Sequence, residues 1–580
     1  MKRSIVFLSL FLVLGLVFAY GEIRQAFPEK SPGQFDPDAY VLAMQEKYDW
    51  LLAESVPLSR QALISIHVTE QDILEIENYK CEMCDQQAPA QQRVRIGIVK
   101  PVDMSFDARL IQPTGDGGYV WTAAVESGTA TALRVHFTGV DLPANAELYI
   151  YNANSEAFGP YTGRGYNNDG EFWSHTVTGP LAFVQLRQFG PGNPDLVNFK
   201  IAGVGHLGEK FRLPFKQHTE TVESLTRLME LCNDNEDCVE DASCYSGGAI
   251  NDAKYAVAHM QWVSGAWLYY CSGGLVADTD TGSQIPYFLT ANHCISKSRA
   301  ASGLECYWQY WTSNCGGACY DPVGVVPRTI GATILSTNKT GDYTLMQLNE
   351  DPPSGSVFMG WTNVPVAFSD GTQLFRISHP QGSPQAYSKH EVDTSAGTCS
   401  SWPRGDWIYS RDVIGATEGG SSGSPVYNMS GQIVGQLSGA CGTNVNDVCD
   451  SVNNATVDGA FATYYDSVSQ WLDTGGTPGA DMHVQSIVLS TTVKAVFTTA
   501  IAEVTIVDEN GSPVANATVN GTFTGDIAGT ASGTTDANGI ATLSIKKKVT
   551  VSTFTFCVDN VSHASYGYDP GANVETCDTY

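Results

Sequence analysis

The stretch EGGSSGSP (residues 418–425) contains three serines and three glycines and ends in a proline. A serine hydroxyl becomes a nucleophile only when a histidine accepts its proton and a carboxylate orients that histidine. The stretch is a weak signal alone, because the chain of 580 residues contains 57 glycines. Its meaning therefore depends on whether the rest of the chain supplies a histidine and an acid.

Both partners occur upstream, in the order His, Asp, Ser. In YFLTANHCIS (287–296) an apolar strand ends at His293, which Cys294 follows directly. In TGDYTLMQL (340–348) Asp342 opens a second apolar strand. This chain order is that of the double β-barrel serine proteases, whereas other folds with the same triad use other orders.

These motifs resemble those of trypsin/chymotrypsin-like serine proteases and are similar to those of secreted bacterial lysyl endopeptidases. The resemblance rests on LTANHC, DYTLMQL, GGSSGSP, the SHP at 378–380 and Cys238-x5-Cys244, and covers about residues 235–475. It implies a triad of His293, Asp342 and Ser422, with an oxyanion hole formed by the N–H groups of Gly420 and Ser422.

Each triad residue also has a structural alternative. His293 could be a structural histidine, Asp342 could cap a turn, and Ser422 could belong to a glycine-rich hairpin. The three motifs in the correct order favour catalysis. Ser421 stands where many animal relatives carry an aspartate that pairs with a freed N-terminus, so release of a propeptide is the simpler activation step.

Substrate specificity in this fold comes from the pocket beside the serine. Ala416, six positions before Ser422, stands where trypsin-like enzymes carry a carboxylate. The resemblance implies an acid after the last cysteine of the domain. Asp458 fits, although a register slip would place Thr456 there instead; Asp458 would select Lys or Arg at P1. By register, Ser438 lies on the strand that pairs with the substrate backbone.

The chain has fifteen cysteines, which in an exported protein predict disulfides. Cys81 and Cys84 form a local disulfide in preference to half a zinc site, and Cys232 is left over. The resemblance implies Cys271–Cys294, Cys244–Cys315, and Cys238 with Cys441 or Cys449, and a bridge between Cys557 and Cys577 closes the C-terminal module.

Charge and the N-terminus predict an extracellular bacterial protein. The formal net charge is −29, which argues against nucleic-acid binding. Lys2 and Arg3 precede an apolar run that ends near Ala19, the pattern of a cleaved signal peptide over residues 1–21. No later segment is apolar enough to span a membrane.

The chain is predicted to be mainly β, with a chymotrypsin-like double β-barrel protease domain over 233–475. Before it, residues 22–232 form a β-rich propeptide with a helical start and then a sandwich-like part, which inhibits the protease intramolecularly until it is removed. A linker (476–483) follows, and then an Ig-like β-sandwich (484–580).

The sequence thus predicts a monomeric secreted serine endopeptidase that acts on protein or peptide substrates and needs no cofactor or metal. The loop DTDTGS (278–283) has alternating oxygen ligands that suit calcium, but ordinary turn chemistry explains it better. The alternative function is an inactive secreted adhesin that uses the protease fold as a scaffold.

Overall fold

The fold is described from a computed structural model of the chain. The structure describes residues 23–55, 62–77, 93–208, 232, 235–280, 282–319, 325–473, 481–494, 497–508, 511–549, 553–563 and 566–580. The predicted signal peptide, Cys81, Cys84 and most of the predicted linker lie outside these residues. The described chain is mainly β, as the sequence predicts.

The N-terminal segment contains two short strands and two helices. Helix α1 begins after Asp36, whose carboxylate accepts hydrogen bonds from the backbone N–H groups of Asp38 and Ala39, and Pro37 occupies its first position. Within the described residues no helix is long and apolar enough to cross a membrane. The elements are β1 (Glu29–Lys30), α1 (Pro37–Glu54), β2 (Leu63–Ser65) and α2 (Glu70–Glu77).

Two sheets that pack face to face follow, and we call them with β2 the N-terminal sandwich. One has the order β2-β5-β11-β7-β8 with β4 on β5, and the other contains β10-β6-β12-β3 with β9 on β6. The strands are β3 (Val94–Ser105), β4 (Gln112–Pro113), β5 (Tyr119–Glu126), β6 (Ala132–Asp141), β7 (Ala146–Tyr151), β8 (Ala157–Tyr161), β9 (Glu171–Trp173), β10 (Val177–Thr178), β11 (Leu181–Gln188) and β12 (Asn198–Leu207).

The first protease barrel is an antiparallel sheet of seven strands in the order β18-β17-β14-β15-β16-β20-β19. Strand β21 follows it and pairs with β1 of the N-terminal segment. The elements are β13 (Glu240–Asp241), α3 (Gly248–Ala256), β14 (Val257–Ser264), β15 (Trp267–Leu275), β16 (Tyr287–Ala291), α4 (Ser298–Ala301), β17 (Glu305–Trp308), β18 (Arg328–Ile330), β19 (Ala332–Asn338), β20 (Tyr343–Leu348) and β21 (Val357–Phe358).

The second protease barrel closes on itself. Its strands run β23-β22-β25-β26-β27-β24, and β24 pairs back onto β23, so no free sheet edge remains among these six. Helix α5 follows the last strand, as the sequence predicts. The elements are β22 (Gln373–Ser378), β23 (Ala386–Val392), β24 (Trp407–Ile414), β25 (Pro425–Asn428), β26 (Ile433–Gly442), β27 (Asn454–Ala460) and α5 (Phe461–Leu472).

The N-terminal sandwich and the first barrel share one continuous sheet, because β3 pairs with β15. Beside this seam the Glu305 side chain is fully buried between two arginines. Arg328 Nη1 of the barrel lies 2.8 Å from its carboxylate, and Arg134 Nε of the sandwich lies 3.8 Å away. The sequence gives no sign of this junction, since each strand reads as an independent alternating run.

The C-terminal module is a sandwich of two four-stranded sheets, β32-β29-β28-β34 and β31-β30-β33-β35, around its own apolar core. Its assignment as Ig-like stays a prediction. The strands are β28 (Asp481–Lys494), β29 (Phe497–Asp508), β30 (Thr518–Gly525), β31 (Gly529–Thr534), β32 (Ile540–Lys547), β33 (Phe554–Ser562), β34 (Gly567–Tyr568) and β35 (Cys577–Thr579).

Disulfides connect distant parts of the described chain. Cys232, which the sequence leaves unassigned, pairs with Cys319, and Cys306 is buried and free. The bridges are Cys232–Cys319, Cys238–Cys449, Cys244–Cys315, Cys271–Cys294, Cys399–Cys441 and Cys557–Cys577.

Candidate active site

His293 lies in the turn that follows β16. The disulfide between Cys294 and Cys271 ties this turn to the neighbouring strand β15. Backbone hydrogen bonds add to the restraint, since the N–H groups of Cys294 and Ile295 both donate to the Ala291 carbonyl at 3.2 Å. The position of the imidazole is therefore fixed by covalent and hydrogen-bonded neighbours.

Asp342 binds His293 with both carboxylate oxygens. Oδ2 lies 2.7 Å from His293 Nδ1, and Oδ1 accepts the His293 backbone N–H at 2.9 Å. The Asp342 side chain is 4% exposed and that of His293 is 13% exposed. A proton on Nδ1 that is shared with the carboxylate leaves Nε2 as the nitrogen that accepts a further proton.

Asp342 itself adopts a left-handed backbone conformation, with φ of +48°. Its carbonyl accepts the Asn292 N–H at 3.0 Å and Gln436 Nε2 at 3.1 Å. Gln436 belongs to β26, so a residue of the second barrel helps hold the acid that stands on the first barrel. Left-handed backbone is uncommon for a non-glycine residue, and here these bonds hold it.

Ser422 lies in a tight turn before β25, and 4% of its surface is exposed. The turn needs glycine on both sides of the two central serines, because Gly420 and Gly423 have φ of +99° and +81°. A Cβ on Gly423 would lie 2.2 Å from Thr290 Oγ1, and one on Gly420 would lie 2.7 Å from Tyr270 Cε2. The glycines of the motif are therefore steric requirements of the turn.

The turn and the histidine loop meet at the Cys271–Cys294 bridge. Cys294 Sγ lies 3.7 Å from the Ser422 carbonyl oxygen and 3.8 Å from His293 Nε2, and the Ser422 carbonyl also accepts the Ser272 N–H at 2.9 Å. The structure thus brings the three predicted triad residues to one place between the barrels. The two sulfurs and His293 are close enough for a metal, but sulfurs in a disulfide are not thiolate ligands.

Two backbone N–H groups of the serine turn donate hydrogen bonds to carbonyl groups within the protein. Ser421 N–H donates to the Glu418 carbonyl at 3.0 Å, and Gly423 N–H donates to the Leu437 carbonyl at 2.9 Å. The N–H groups of Gly420 and Ser422 are those predicted to form the oxyanion hole, and that role stays a prediction.

The segment before the first barrel supports the same turn. Glu418 accepts hydrogen bonds from Asn235 Nδ2 at 2.6 Å and from the Glu236 N–H at 3.0 Å. Ser421 accepts a hydrogen bond from Ser378 Oγ at 3.0 Å. Sequence reasoning missed these contacts, since nothing local to residue 235 or 236 indicates that it reaches residue 418.

Asp458 lies on β27 and is fully buried. Its Oδ1 lies 2.5 Å from Nη2 of Arg376, which is fully buried as well. Arg376 Nη1 donates to the Ser424 carbonyl at 2.8 Å. The structure therefore brings the predicted specificity residue close to the Ser422 turn, but it places the carboxylate in an ion pair that the sequence reasoning did not foresee.

Strand register distinguishes Asp458 from its alternative. Asp458 pairs with Leu437, and Thr456 pairs with Ala440 further along β26. Thr456 Oγ1 donates to Asp412 Oδ1 at 2.8 Å. Ser438 stands at the bulge between Leu437 and Gly439, and its hydroxyl is buried with no hydrogen-bond partner among the described residues.

A second serine, histidine and aspartate set lies inside the second barrel. His390 Nδ1 is 2.6 Å from Asp412 Oδ1, and its Nε2 is 2.8 Å from Ser388 Oγ. His390 is fully buried and Ser388 is 2% exposed. Ser388 stands in the middle of strand β23, inside the barrel, and not in a turn between strands, so we interpret this set as structural. The carboxylates of the loop 278–283 are likewise used in turn bonds, as Asp278 accepts from Asp280 N–H and Ser283 Oγ.

The closed second barrel, the adjoining first barrel and the His293–Asp342 pair together define a chymotrypsin-like serine protease fold. Residues 232–453 match the family model of the lysyl endopeptidase C-terminal domain. The resemblance to lysyl endopeptidases inferred from the sequence is therefore confirmed for this part of the chain.

Two curated proteins align with more than half of the chain. A lysyl endopeptidase of Pseudomonas aeruginosa is 27% identical over 328 residues, which cover 55% of this chain and 66% of that protein. Secreted RxLR effector protein 73 of Plasmopara viticola is 27% identical over 330 residues, which cover 53% of this chain and 75% of that protein.

Solved protease structures also match the chain. The HtrA-type protease AlgW with a tripeptide is 11% identical with a TM-score of 0.27, and the match covers 56% of this chain and 98% of that chain. The MamO protease domain from Magnetospirillum magneticum is 13% identical with a TM-score of 0.24, and the match covers 37% of this chain and 97% of that chain.

Proposed function

We propose that the protein is a secreted serine endopeptidase that hydrolyses peptide bonds through an acyl-enzyme on Ser422. The observation that carries the proposal is the buried His293–Asp342 pair, with Nδ1 and Oδ2 2.7 Å apart, beside the glycine-framed turn of Ser422. The match of residues 232–453 to the lysyl endopeptidase C-terminal domain supports the same reaction class.

In the first half of the reaction, Ser422 Oγ attacks the scissile carbonyl carbon while His293 Nε2 takes the hydroxyl proton. Asp342 keeps the imidazole in the correct tautomer and stabilises the imidazolium. Collapse of the tetrahedral intermediate breaks the C–N bond, and His293 gives the proton to the leaving amine. The first product leaves and the acyl group stays on Ser422.

In the second half, water attacks the acyl carbon and His293 accepts a proton from it, so that the acid product and free Ser422 result. In both halves the carbonyl oxygen becomes negatively charged in the intermediate. The N–H groups of Gly420 and Ser422 would donate to that oxyanion, and removal of one such donor costs about 10²–10³ in kcat.

The substrate backbone is proposed to pair with β26 near Ser438, whose own side chain is fully buried. A preference for Lys or Arg at P1 depends on Asp458 and stays a prediction. Its charge is balanced by Arg376.

Secretion is supported by the disulfides, because such bonds persist in oxidising compartments. Inhibition by residues 22–232 remains part of the proposal. The described contacts of the N-terminal sandwich with the protease barrels include the β3–β15 pairing and the ion cluster at Glu305, which give such a propeptide a large docking surface.

Cleavage of a denatured protein substrate by the processed enzyme tests the proposal. We expect Ser422→Ala to lose all measurable turnover, whereas Ser388→Ala, the same change in the buried second set, retains it. Loss in neither variant, or no cleavage by the folded wild type, would contradict a serine endopeptidase. The second outcome would favour the adhesin.

A further inference from the structure

The nucleophile turn rests directly on the strand that faces Asp458. Gly423 N–H donates to the Leu437 carbonyl at 2.9 Å, and Leu437 N–H donates to the Ser424 carbonyl at 3.0 Å. Leu437 is in turn the cross-strand neighbour of Asp458. Cross-strand neighbours point to the same face of a sheet, so the Asp458 side chain lies on the same face as Leu437, one strand away from the Ser422 turn.

Arg376 approaches this carboxylate from β22 and is held from two sides. Its Nη2 lies 2.5 Å from Asp458 Oδ1, and its Nη1 donates to both the carbonyl and the hydroxyl of Ser424, at 2.8 and 3.2 Å. Neither side chain of the ion pair has any solvent exposure. The guanidinium is thus fixed beneath the turn that carries the nucleophile.

The charges of this pair cancel. Arginine does not lose its proton in proteins, so Asp458 has a permanent cation as its partner. One carboxylate oxygen, Oδ2, has no hydrogen-bond partner among the described residues, but the charge of the carboxylate as a whole is already balanced. A lysine or arginine side chain that entered here would add an unbalanced cation beside Arg376 in a poorly solvated site.

The other groups near the pocket do not restore a negative charge. Ala416 is apolar and buried. Asp412, the next carboxylate along the face, is bound by His390 Nδ1 at 2.6 Å and by Thr456 Oγ1 at 2.8 Å. Glu418, four residues before Ser422, accepts hydrogen bonds from Asn235 Nδ2 and the Glu236 N–H, so its oxygens are also bound within the protein.

We propose that the pocket selects uncharged P1 side chains and that Arg376 is the residue that sets this selection. The inference rests on the proposed endopeptidase function and departs from the Lys or Arg preference predicted from the sequence. Asp458 then does not select the substrate, since Arg376 balances its charge.

The first test is a set of peptides that differ only at P1, cleaved by the processed wild-type protein. We expect kcat/KM for uncharged P1 residues such as Ala, Ser, Gln and Leu to exceed that for Lys and Arg by about tenfold or more. A preference for Lys or Arg would overturn the inference and leave the endopeptidase intact. Absence of both cleavage and fluorophosphonate labelling would overturn the proposed function and the inference together.

The second test removes the cation. Arg376→Met exposes the Asp458 charge to the pocket, so the ratio of kcat/KM for Lys over Ala should rise about tenfold or more. The matched control is the double variant Arg376→Met and Asp458→Leu, which removes both charges and should keep the wild-type ratio. If Arg376→Met does not fold, the P1 preference of the wild-type protein in the first test decides.

Discussion

Two buried aspartates approach the Ser422 turn from different barrels, and they differ in the partner that each binds. Asp342 of the first barrel binds His293, which can gain and lose a proton. Asp458 of the second barrel binds Arg376, which cannot. The histidine of the first pair can therefore be neutral or protonated during a reaction, whereas the arginine of the second pair stays protonated. Burial beside a nucleophile does not by itself make a carboxylate available for chemistry.

The largest expected effect is a loss of kcat at Asp342, compared with Asp412, the other aspartate that binds a histidine. Asp342→Asn should lower kcat by about ten-thousand-fold with little change in KM, because the amide favours the wrong tautomer of His293. The control is Asp412→Asn at the buried His390, which should cost less than about tenfold, since that pair touches no reacting atom. Steady-state kinetics on one good peptide measure both. Equal losses would contradict the assignment of Asp342.

A second prediction concerns stability at the Asp458–Arg376 pair. Asp458→Asn leaves the Arg376 charge buried without a counter-ion and should lower the free energy of unfolding by about 3–5 kcal/mol. The transition of the protease domain in calorimetry measures the change.

Its control is again the double variant Arg376→Met and Asp458→Leu. Replacement of a buried ion pair by apolar side chains of similar size is often neutral or stabilising, so this variant should unfold near the wild-type temperature. A double variant as unstable as Asp458→Asn would mean that the two charges stabilise the fold by more than neutralising each other.

A third prediction concerns Glu305, a buried carboxylate that lies between two arginines. Arg134→Met at the seam of the N-terminal sandwich leaves Glu305 with Arg328 alone, and should cost about 1–3 kcal/mol of unfolding free energy. Lys200→Met, at an exposed ion pair with Asp103, is the control and should change stability by less than about 1 kcal/mol. Thermal unfolding of the full chain compares the two, and equal shifts would argue against a stabilising role for the seam.

The smallest expected effect depends on pH and lies at the β1–β21 contact. Burial, and then the nearby Asp278 and Asp280 carboxylates, raise the pKa of Glu29 to about 7. Burial likewise raises the pKa of Asp278 to about 6. The folded protein therefore binds more protons here than the unfolded chain, so this contribution to stability is fully present below about pH 4 and is lost as pH rises to about 7.

Hydrogen exchange at the Ser31 amide, which donates to the Ser356 carbonyl at 2.9 Å, measures this effect. After correction for intrinsic exchange rates, protection of that amide should be higher at pH 5 than at pH 8. Glu29→Gln should reduce the difference, because a neutral amide replaces the carboxyl that loses its proton. An unchanged difference in Glu29→Gln would assign the pH dependence to other groups.

The sequence could predict that His293, Asp342 and Ser422 lie close together because each lies in a local motif with strong backbone requirements. Gly420 and Gly423 take positive φ, and Cys294 adjoins His293 and is covalently tied to the next strand. Such short-range constraints leave a visible pattern in the chain. The double barrel followed from the order of those motifs.

Arg376 was not accessible in this way. It is the charged residue in the apolar strand QLFRIS, but its partner is 82 positions away. An alternating pattern does not say which strand will lie opposite, and a lone arginine in a strand ordinarily faces solvent. The β3–β15 seam escaped prediction for the same reason, since pairing across units depends on tertiary packing.

The site of covalent modification by a fluorophosphonate shows most directly which serine is the nucleophile. The processed wild-type protein is labelled, digested and mapped by mass spectrometry. We expect one adduct, on Ser422, that is lost in Ser422→Ala and strongly slowed in Asp342→Asn. An adduct on another serine, or none on folded protein, would contradict the assignment of this turn as the nucleophile.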